Sequence, residues 1–264
     1  MALAFAGCNS NTSQKAKDNN GKDCEVTTFE LLKIKKTFNI DTISAESPKL
    51  DIDISLMVPQ NTDSDIAENI SKSIAYTAFG YEGIVAEEAA DSIVNNLVSD
   101  YYELRNNYIN EKGANPDAPW FNNYYMLNSN VKEGVEGVIC YEVFYEIYSG
   151  GAHPSSAISY VNFEEKTGKE ITLQDIFKEE SDNALIEKLT TGLCKKHNVN
   201  TIAELQDLGY LTMNEMFITN NFLLEKDSII FLYNQYEIAP YALGRSRIAI
   251  SYDEIKDILN DFQF

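Results

Sequence analysis

Three observations predict an α+β fold, a mixed or antiparallel sheet with packed helices. Between residues 62 and 108 the apolar positions repeat at helical spacing, and after residue 119 they alternate at strand spacing in successive runs. Helices are therefore segregated from strands instead of alternating with them one for one, which argues against a doubly wound α/β chain. The result is a helix-rich N-terminal part and a strand-rich C-terminal part. The third observation is composition: 264 residues, 44% apolar, 11% aromatic and 23% charged. Such a chain buries a core without disulfide or metal staples. Its 41 acidic residues against 21 basic ones leave a net charge of −20, which disfavours nucleic acid as a partner. No run of eighteen apolar residues provides a transmembrane helix.

The chain opens with Phe5-Ala6-Gly7-Cys8, which resembles the lipobox of bacterial lipoproteins, with Phe where Leu is commoner. The resemblance implies lipidation of Cys8, and the two chains of a diacylglyceryl group suffice for stable anchoring. Only seven residues precede Cys8 and none is Lys or Arg, so the basic start of a signal peptide is expected further upstream. Asn9 to Asp23 is polar and without periodicity, the pattern of a tether. Residues 1–24 are thus read as leader remnant and tether, with a second boundary in the Gly113 to Pro119 loop that divides 25–115 from 116–264.

Val26 to Ile40 reads as the first strand. Lys49 to Val58 is the second, with Leu50, Ile52 and Ile54 alternating with Asp51, Asp53 and Ser55. Thr62-Asp63-Ser64-Asp65 opens a helix striped by Ile66, Ile70 and Ile74 and closed by Gly80. Val85, Ala89, Ile93, Leu97, Tyr101, Leu104 and Tyr108 form one long seam, suited to helix-on-sheet packing, with a coiled coil as the sharper alternative. Ile139 to Ile147 carries large side chains on both faces and should be a central strand. Ser156 to Phe163 is a further strand, followed by a turn at Lys166 to Lys169. Ser181 caps a helix bearing Leu185, Leu189 and Leu193, and Thr201-x-x-Glu204 opens a short one. Phe217 to Leu224, Ile229 to Tyr233 and Arg247 to Ile250 close the strand set. Ser251-x-x-Glu254 starts a terminal helix with Ile255, Ile258, Leu259 and Phe262.

Motifs for chemistry are sparse. The sequence lacks a phosphate loop, G-x-G-x-x-G, G-x-S-x-G and H-E-x-x-H. With Cys8 lipidated, Cys24, Cys140 and Cys194 are an odd set without C-x-x-C spacing, so neither a metal site nor a cofactor is expected, and Cys140 and Cys194 read as core thiols. Asp51-x-Asp53 lacks the rest of a calcium loop. His197 falls at a helix C-terminus, where a cation interacts favourably with the dipole. His153 stands in Gly150-Gly151-Ala152-His153-Pro154-Ser155-Ser156. One reading makes Ser155 or Ser156 a nucleophile with His153 as base and Asp175 as orienter. The other lets Gly150 and Gly151 turn the chain, Pro154 stiffen its return and His153 hydrogen-bond across the turn. The 16 tyrosines cluster at Tyr124-Tyr125, Tyr141, Tyr145, Tyr148, Tyr233, Tyr236 and Tyr241, residues suited both to cores and to recognition of protein or sugar.

Several segments resemble the domain-of-unknown-function family 3298: Gly150-Gly151-Ala152-His153 after an aromatic strand; Asn162-Phe163 with Thr167-Gly168-Lys169 and Ile171-x-Leu173-x-Asp175-Ile176-Phe177; Tyr236-Glu237-Ile238-Ala239-Pro240-Tyr241-Ala242-x-Gly244; and Ile250-x-Tyr252-x-Glu254-Ile255. The preceding part is similar to the companion family 4163. This architecture resembles the extracytoplasmic part of a lysozyme-binding anti-sigma factor, an accessory domain of some peptidoglycan deacetylases, and Bacteroides-type lipoproteins. The resemblance implies a lipid-anchored, non-enzymatic envelope module, periplasmic or on the outer membrane. It would bind a basic protein such as lysozyme, or a peptidoglycan glycan. The expected binding residues are His153, Tyr236, Tyr241, Gly150, Gly151 and Gly244. A peptidoglycan hydrolase using paired carboxylates, and a structural assembly protein, are the alternatives. Asp41-Thr42-Ile43 and Asp227-Ser228-Ile229 resemble the short O-glycosylation motif of Bacteroides envelope proteins.

Overall fold

The computed structural model describes residues 15–17, 23–25, 27–41, 43–44, 46–60, 64–111 and 119–260. The lipidation expected at Cys8, Thr42 of the first glycosylation motif, Thr62 and Asp63 of the first cap, nearly all of the Gly113 to Pro119 loop and Phe262 lie outside them. The segment read as a tether contains a short antiparallel pair, β1 (Lys15–Lys17) with β2 (Asp23–Glu25). The intervening sequence holds Asn20-Gly21, a dipeptide that favours hairpins and that the reading as plain tether passed over.

The first layer is built from β3 (Thr28–Asn39) and β4 (Lys49–Gln60), antiparallel along their whole length. The alternation in β4 sends Leu50, Ile52, Ile54, Leu56 and Val58 inward, all nearly inaccessible, while Asp51, Asp53 and Ser55 face the other side. Helices α1 (Ser64–Phe79), α2 (Ala86–Glu103) and α3 (Arg105–Glu111) follow. They form the crossover that a parallel pair requires, because the next strand, β5 (Asn123–Glu133), lies parallel to β4. Helices α1 and α2 pack on the apolar face of β4, with Ile70, Ile74, Ala86, Ala89, Ala90 and Val94 buried. The long seam is therefore helix-on-sheet packing, and it is broken at Leu104, whose N–H bonds to Tyr101 O. Tyr108 continues the buried line and meets the Phe121 ring edge-on at 5.4 Å.

Strand β6 (Val138–Tyr148) pairs with β5 on one side and with β7 (Ser155–Glu164) on the other, the interior position its two bulky faces required. The sheet order is β3-β4-β5-β6-β7. Its strands come from both sides of the 115/116 boundary drawn from the sequence. Its core cluster runs from Ile40 to Phe163, and a second cluster runs from Cys140 to Ile258. The packing units thus meet at β6 and β7.

The second unit begins with α4 (Leu173–Ile176), α5 (Asp182–His197) and α6 (Ile202–Asp207). Helix α5 packs on β10 of a three-stranded antiparallel sheet of β8 (Phe222–Leu224), β9 (Ser228–Tyr233) and β10 (Ser246–Ser251), in the order β10-β9-β8, and α6 packs on α5. Strand β8 is shorter than the expected Phe217 to Leu224 because side chains take over from the ladder: Asn221 N–H donates to Thr219 Oγ1, and the Asn221 amide turns to β7. The last helix, α7 (Tyr252–Ile255), has the expected Ser251/Glu254 capping box but stops after one turn. Leu259 then bridges to Phe177, and Asn260 N–H donates to Ile176 O.

Among the described residues no strand covers the outer edge of β7 along Ile158–Asn162; asparagine side chains do. Asn234 and Asn221 take both Ile158 N–H and Ile158 O, and Asn221 Oδ1 accepts from Tyr160 N–H. Asn162, 1% exposed, donates to Phe222 O and accepts from Leu224 N–H. The two sheets are thereby stitched at an edge that would otherwise recruit a foreign strand.

Candidate functional site

The site begins where β6 ends. Gly150 and Gly151 take φ of +92° and +109°, conformations a Cβ strongly disfavours. At Gly150 a Cβ would also press to 3.2 Å of the Trp120 side chain. The turn delivers His153 to the surface, where its Nδ1 lies 2.8 Å from Pro154 O. Only a protonated Nδ1 can donate to that carbonyl, which sets the tautomer of the neutral ring. This contact is to the adjacent residue, not across the turn as expected.

The β9–β10 connection supplies the partner. Asn234 N–H donates to Glu237 Oε2, and Tyr236 N–H donates to Ala239 O with Tyr236 held at φ +71°. Burial pushes the Glu237 carboxyl above its ordinary range. Pro240 leads into a single 3-10 turn, Tyr241–Leu243, and Gly244 at φ +72° reverses the chain into β10. The Tyr241 ring stacks on His153 at 4.3 Å between centroids and 24° between planes, and Tyr236 stands 5.8 Å from Tyr241. Tyr236 is 61% exposed. Three of the residues expected to bind thus come together from loops more than eighty residues apart. Gly150, Gly151 and Gly244 shape those loops and add no side chain to the surface.

Beside this ridge, Tyr124 and Tyr148 are directly opposed on β5 and β6 and stack at 6.0 Å and 26°. Tyr124 OH donates to Glu146 at 2.7 Å, and Tyr148 OH to Gly151 O. The Glu146 bond, then burial and the neighbouring Glu146, Tyr241 and Tyr148, push the Tyr124 phenol up to about 12. It stays a donor at neutral pH. Trp120, half-exposed, completes a band of rings. Tyr141 and Tyr233 go to the core instead, with hydroxyls on Ser129 and Phe217 O.

Sequence reasoning missed Arg245. Its guanidinium lies over the Phe144 ring at 5.5 Å, with Nε on Asn234 Oδ1 and Nη2 on Ser156 Oγ at 2.6 Å. No local motif signals it, because its partners come from β6, β7 and the end of β9. Among the described residues no hydrogen bond joins His153 to Ser155 or Ser156, and Asp175 is engaged in the α4 capping box and with Lys169. These residues do not assemble a triad. His197 sits at the end of α5 as expected, with its ring on Tyr210, while burial, then Lys196, lower its pKa and so disfavour the cation on the helix dipole. Among the described residues no group of three His, Cys, Asp or Glu side chains could hold a metal, and no helix is long and apolar enough to cross a membrane.

A concavity of about 750 Å³ lies elsewhere, between α5 and β10. Its cations are mostly spent within the protein: Lys195 on Glu254, Arg247 on Glu225, and Lys196 on Arg247 O. The ring band lies at the surface, with His153 and Tyr236 exposed and Tyr124, Tyr148 and Tyr241 half-buried.

Two stitched sheets with packed helices define an α+β protein. Residues 174–253 match the model of a family described as protein of unknown function (DUF3298). The chain is similar to the crystal structure of a member of that family from Bacteroides fragilis, with a TM-score of 0.81 and 26% identity over 89% of this chain and 94% of that one. It shares its fold with a DUF3298 family protein from Pseudomonas aeruginosa, with a TM-score of 0.56 and 16% identity over 88% and 94%. Both findings agree with the family 3298 resemblance of the sequence. No curated protein matches the chain. The matched segment contains Tyr236, Tyr241 and Arg245, while His153 and Tyr124 lie before it.

Proposed function

We propose that this protein is a non-enzymatic recognition module of the bacterial cell envelope, anchored through a lipid on Cys8, and that its ring band binds cell-wall glycan. The supporting observation is the stack of His153, Tyr241 and Tyr236, presented to solvent beside the Tyr124–Tyr148 pair. A tyrosine ring offers an apolar face to the C–H groups of a pyranose and a hydroxyl to its oxygens. Rings held against each other lose little freedom on binding, so more of the contact appears as affinity. The envelope location and the anchor rest on the Phe5 to Cys8 lipobox resemblance.

The test is sedimentation of the purified protein with peptidoglycan sacculi. Wild type should co-sediment saturably, and Tyr241→Ala should bind about tenfold more weakly, the size of one interface anchor, with an unchanged melting temperature. Equal binding by the variant would remove the ring band from the account. The net charge of −20 favours a second reading, a basic protein such as lysozyme. Lysozyme binding that vanishes at moderate salt would mark it as generic charge attraction, and binding that persists and is lost in Tyr241→Ala would transfer the site to a protein partner.

A further inference from the structure

Building on the ring band as a glycan platform, we infer that Arg245 is the anion-binding group of that platform and that the ligand is an acidic oligosaccharide, one carrying a carboxylate. The guanidinium is preorganised on three sides, by the Phe144 face, Asn234 Oδ1 and Ser156 Oγ. Those bonds use the Nε/Nη2 edge. Among the described residues nothing accepts from Nη1 or from the second hydrogen of Nη2, and this remaining edge is the one that meets a carboxylate with two parallel hydrogen bonds. The chain has 41 acidic residues, and Arg247, two positions on, is paired with Glu225. Arg245 has no carboxylate partner among the described residues. Glu146, on the same face of β6 as Phe144, accepts from Tyr124 OH.

Position connects Arg245 to the rings. Phe144, Glu146 and Tyr148 alternate on one face of β6, and Ser156 is opposite Glu146. Four residues of strand separate Phe144 from Tyr148, about 13 Å. An oligosaccharide spans that distance and a single sugar does not. The Tyr236 to Gly244 turn lies between Asn234 and Arg245 in sequence, so the two ends of the ring-bearing turn are tied together by the Arg245–Asn234 bond. In a chain of net charge −20, a local cation left without a carboxylate offsets the repulsion an acidic ligand would meet.

The experiment is calorimetric titration of the full chain with three tetrasaccharides: neutral chitotetraose, the N-acetylglucosamine–N-acetylmuramic acid tetrasaccharide with its lactyl carboxylates, and a hyaluronan tetrasaccharide with uronate carboxylates. At least one acidic probe should bind about tenfold tighter than chitotetraose, and the tighter of the two identifies the source of the carboxylate. Arg245→Gln should abolish the preference, so that the acidic probe and chitotetraose bind the variant equally. Methyl esterification of the carboxylates should have the same effect on wild type, which keeps the test independent of the variant's folding. Equal affinity for neutral and acidic probes, or a preference that survives esterification, would overturn the Arg245 assignment while leaving the platform in place. Absence of binding by any probe would overturn both.

Discussion

Asn162 shows how much of this structure rests on single polar side chains. It is buried between the sheets, donates to Phe222 O and accepts from Leu224 N–H, and Cys140 Sγ donates to its Oδ1. Asn162→Ala would strand a buried carbonyl and a buried N–H. The expected cost is about 2–3 kcal/mol in urea unfolding, and a loss below about 0.5 kcal/mol would contradict the stitching role. Cys140 itself was legible as a core thiol: burial pushes it up to about 12, so it is protonated and inert at neutral pH. Asn162 entered the sequence reading only as part of a family resemblance. Its bonds reach sixty residues ahead, and no local pattern encodes that. The same holds for Arg245, whereas His153 was singled out by its Gly-Gly and Pro setting and Tyr241 by the tyrosine cluster and the family resemblance.

Two helix starts were legible because a capping box is a four-residue signal. Thr201/Glu204 and Ser251/Glu254 form as expected. The Glu254 carboxylate is held down to about 2 by Lys195 and by the Ser251 N–H and hydroxyl. Its folded value lies below the ordinary 4.5, so its contribution to stability is present above about pH 4.5 and is lost as pH falls toward 2. Direct titration of the Glu254 carboxyl by NMR should give a midpoint near 2 that rises in Lys195→Ala. An unchanged midpoint would assign the shift to the cap alone. Element lengths were less legible. The seam through Tyr108 has no sequence break at Leu104, and α7 ends because Leu259 and Asn260 find partners on the α4 segment, a long-range competition that periodicity does not register.

At the scale of the molecule, the α+β class followed from segregated periodicities, and the structure has it. The grouping of elements did not follow. The boundary read in the Gly113 to Pro119 loop falls in the connection between β4 and β5, which pair in parallel, and such a pair demands a crossover. Charge is likewise a whole-molecule property: −20 net favours encounter with basic proteins in general, while the ring band and Arg245 are local and chemically particular. These two sources of binding separate by salt. Coulomb attraction between exposed charges is screened beyond about 8 Å at physiological ionic strength, whereas stacking on Tyr241 and His153 is not. The decisive measurement is therefore calorimetric titration of the full chain with soluble peptidoglycan glycan strands at low and moderate salt, alongside the double variant His153→Ala/Tyr241→Ala. The account predicts saturable binding that survives the added salt in wild type and is lost in the folded variant. No binding by wild type, or equal binding by the variant, would contradict it.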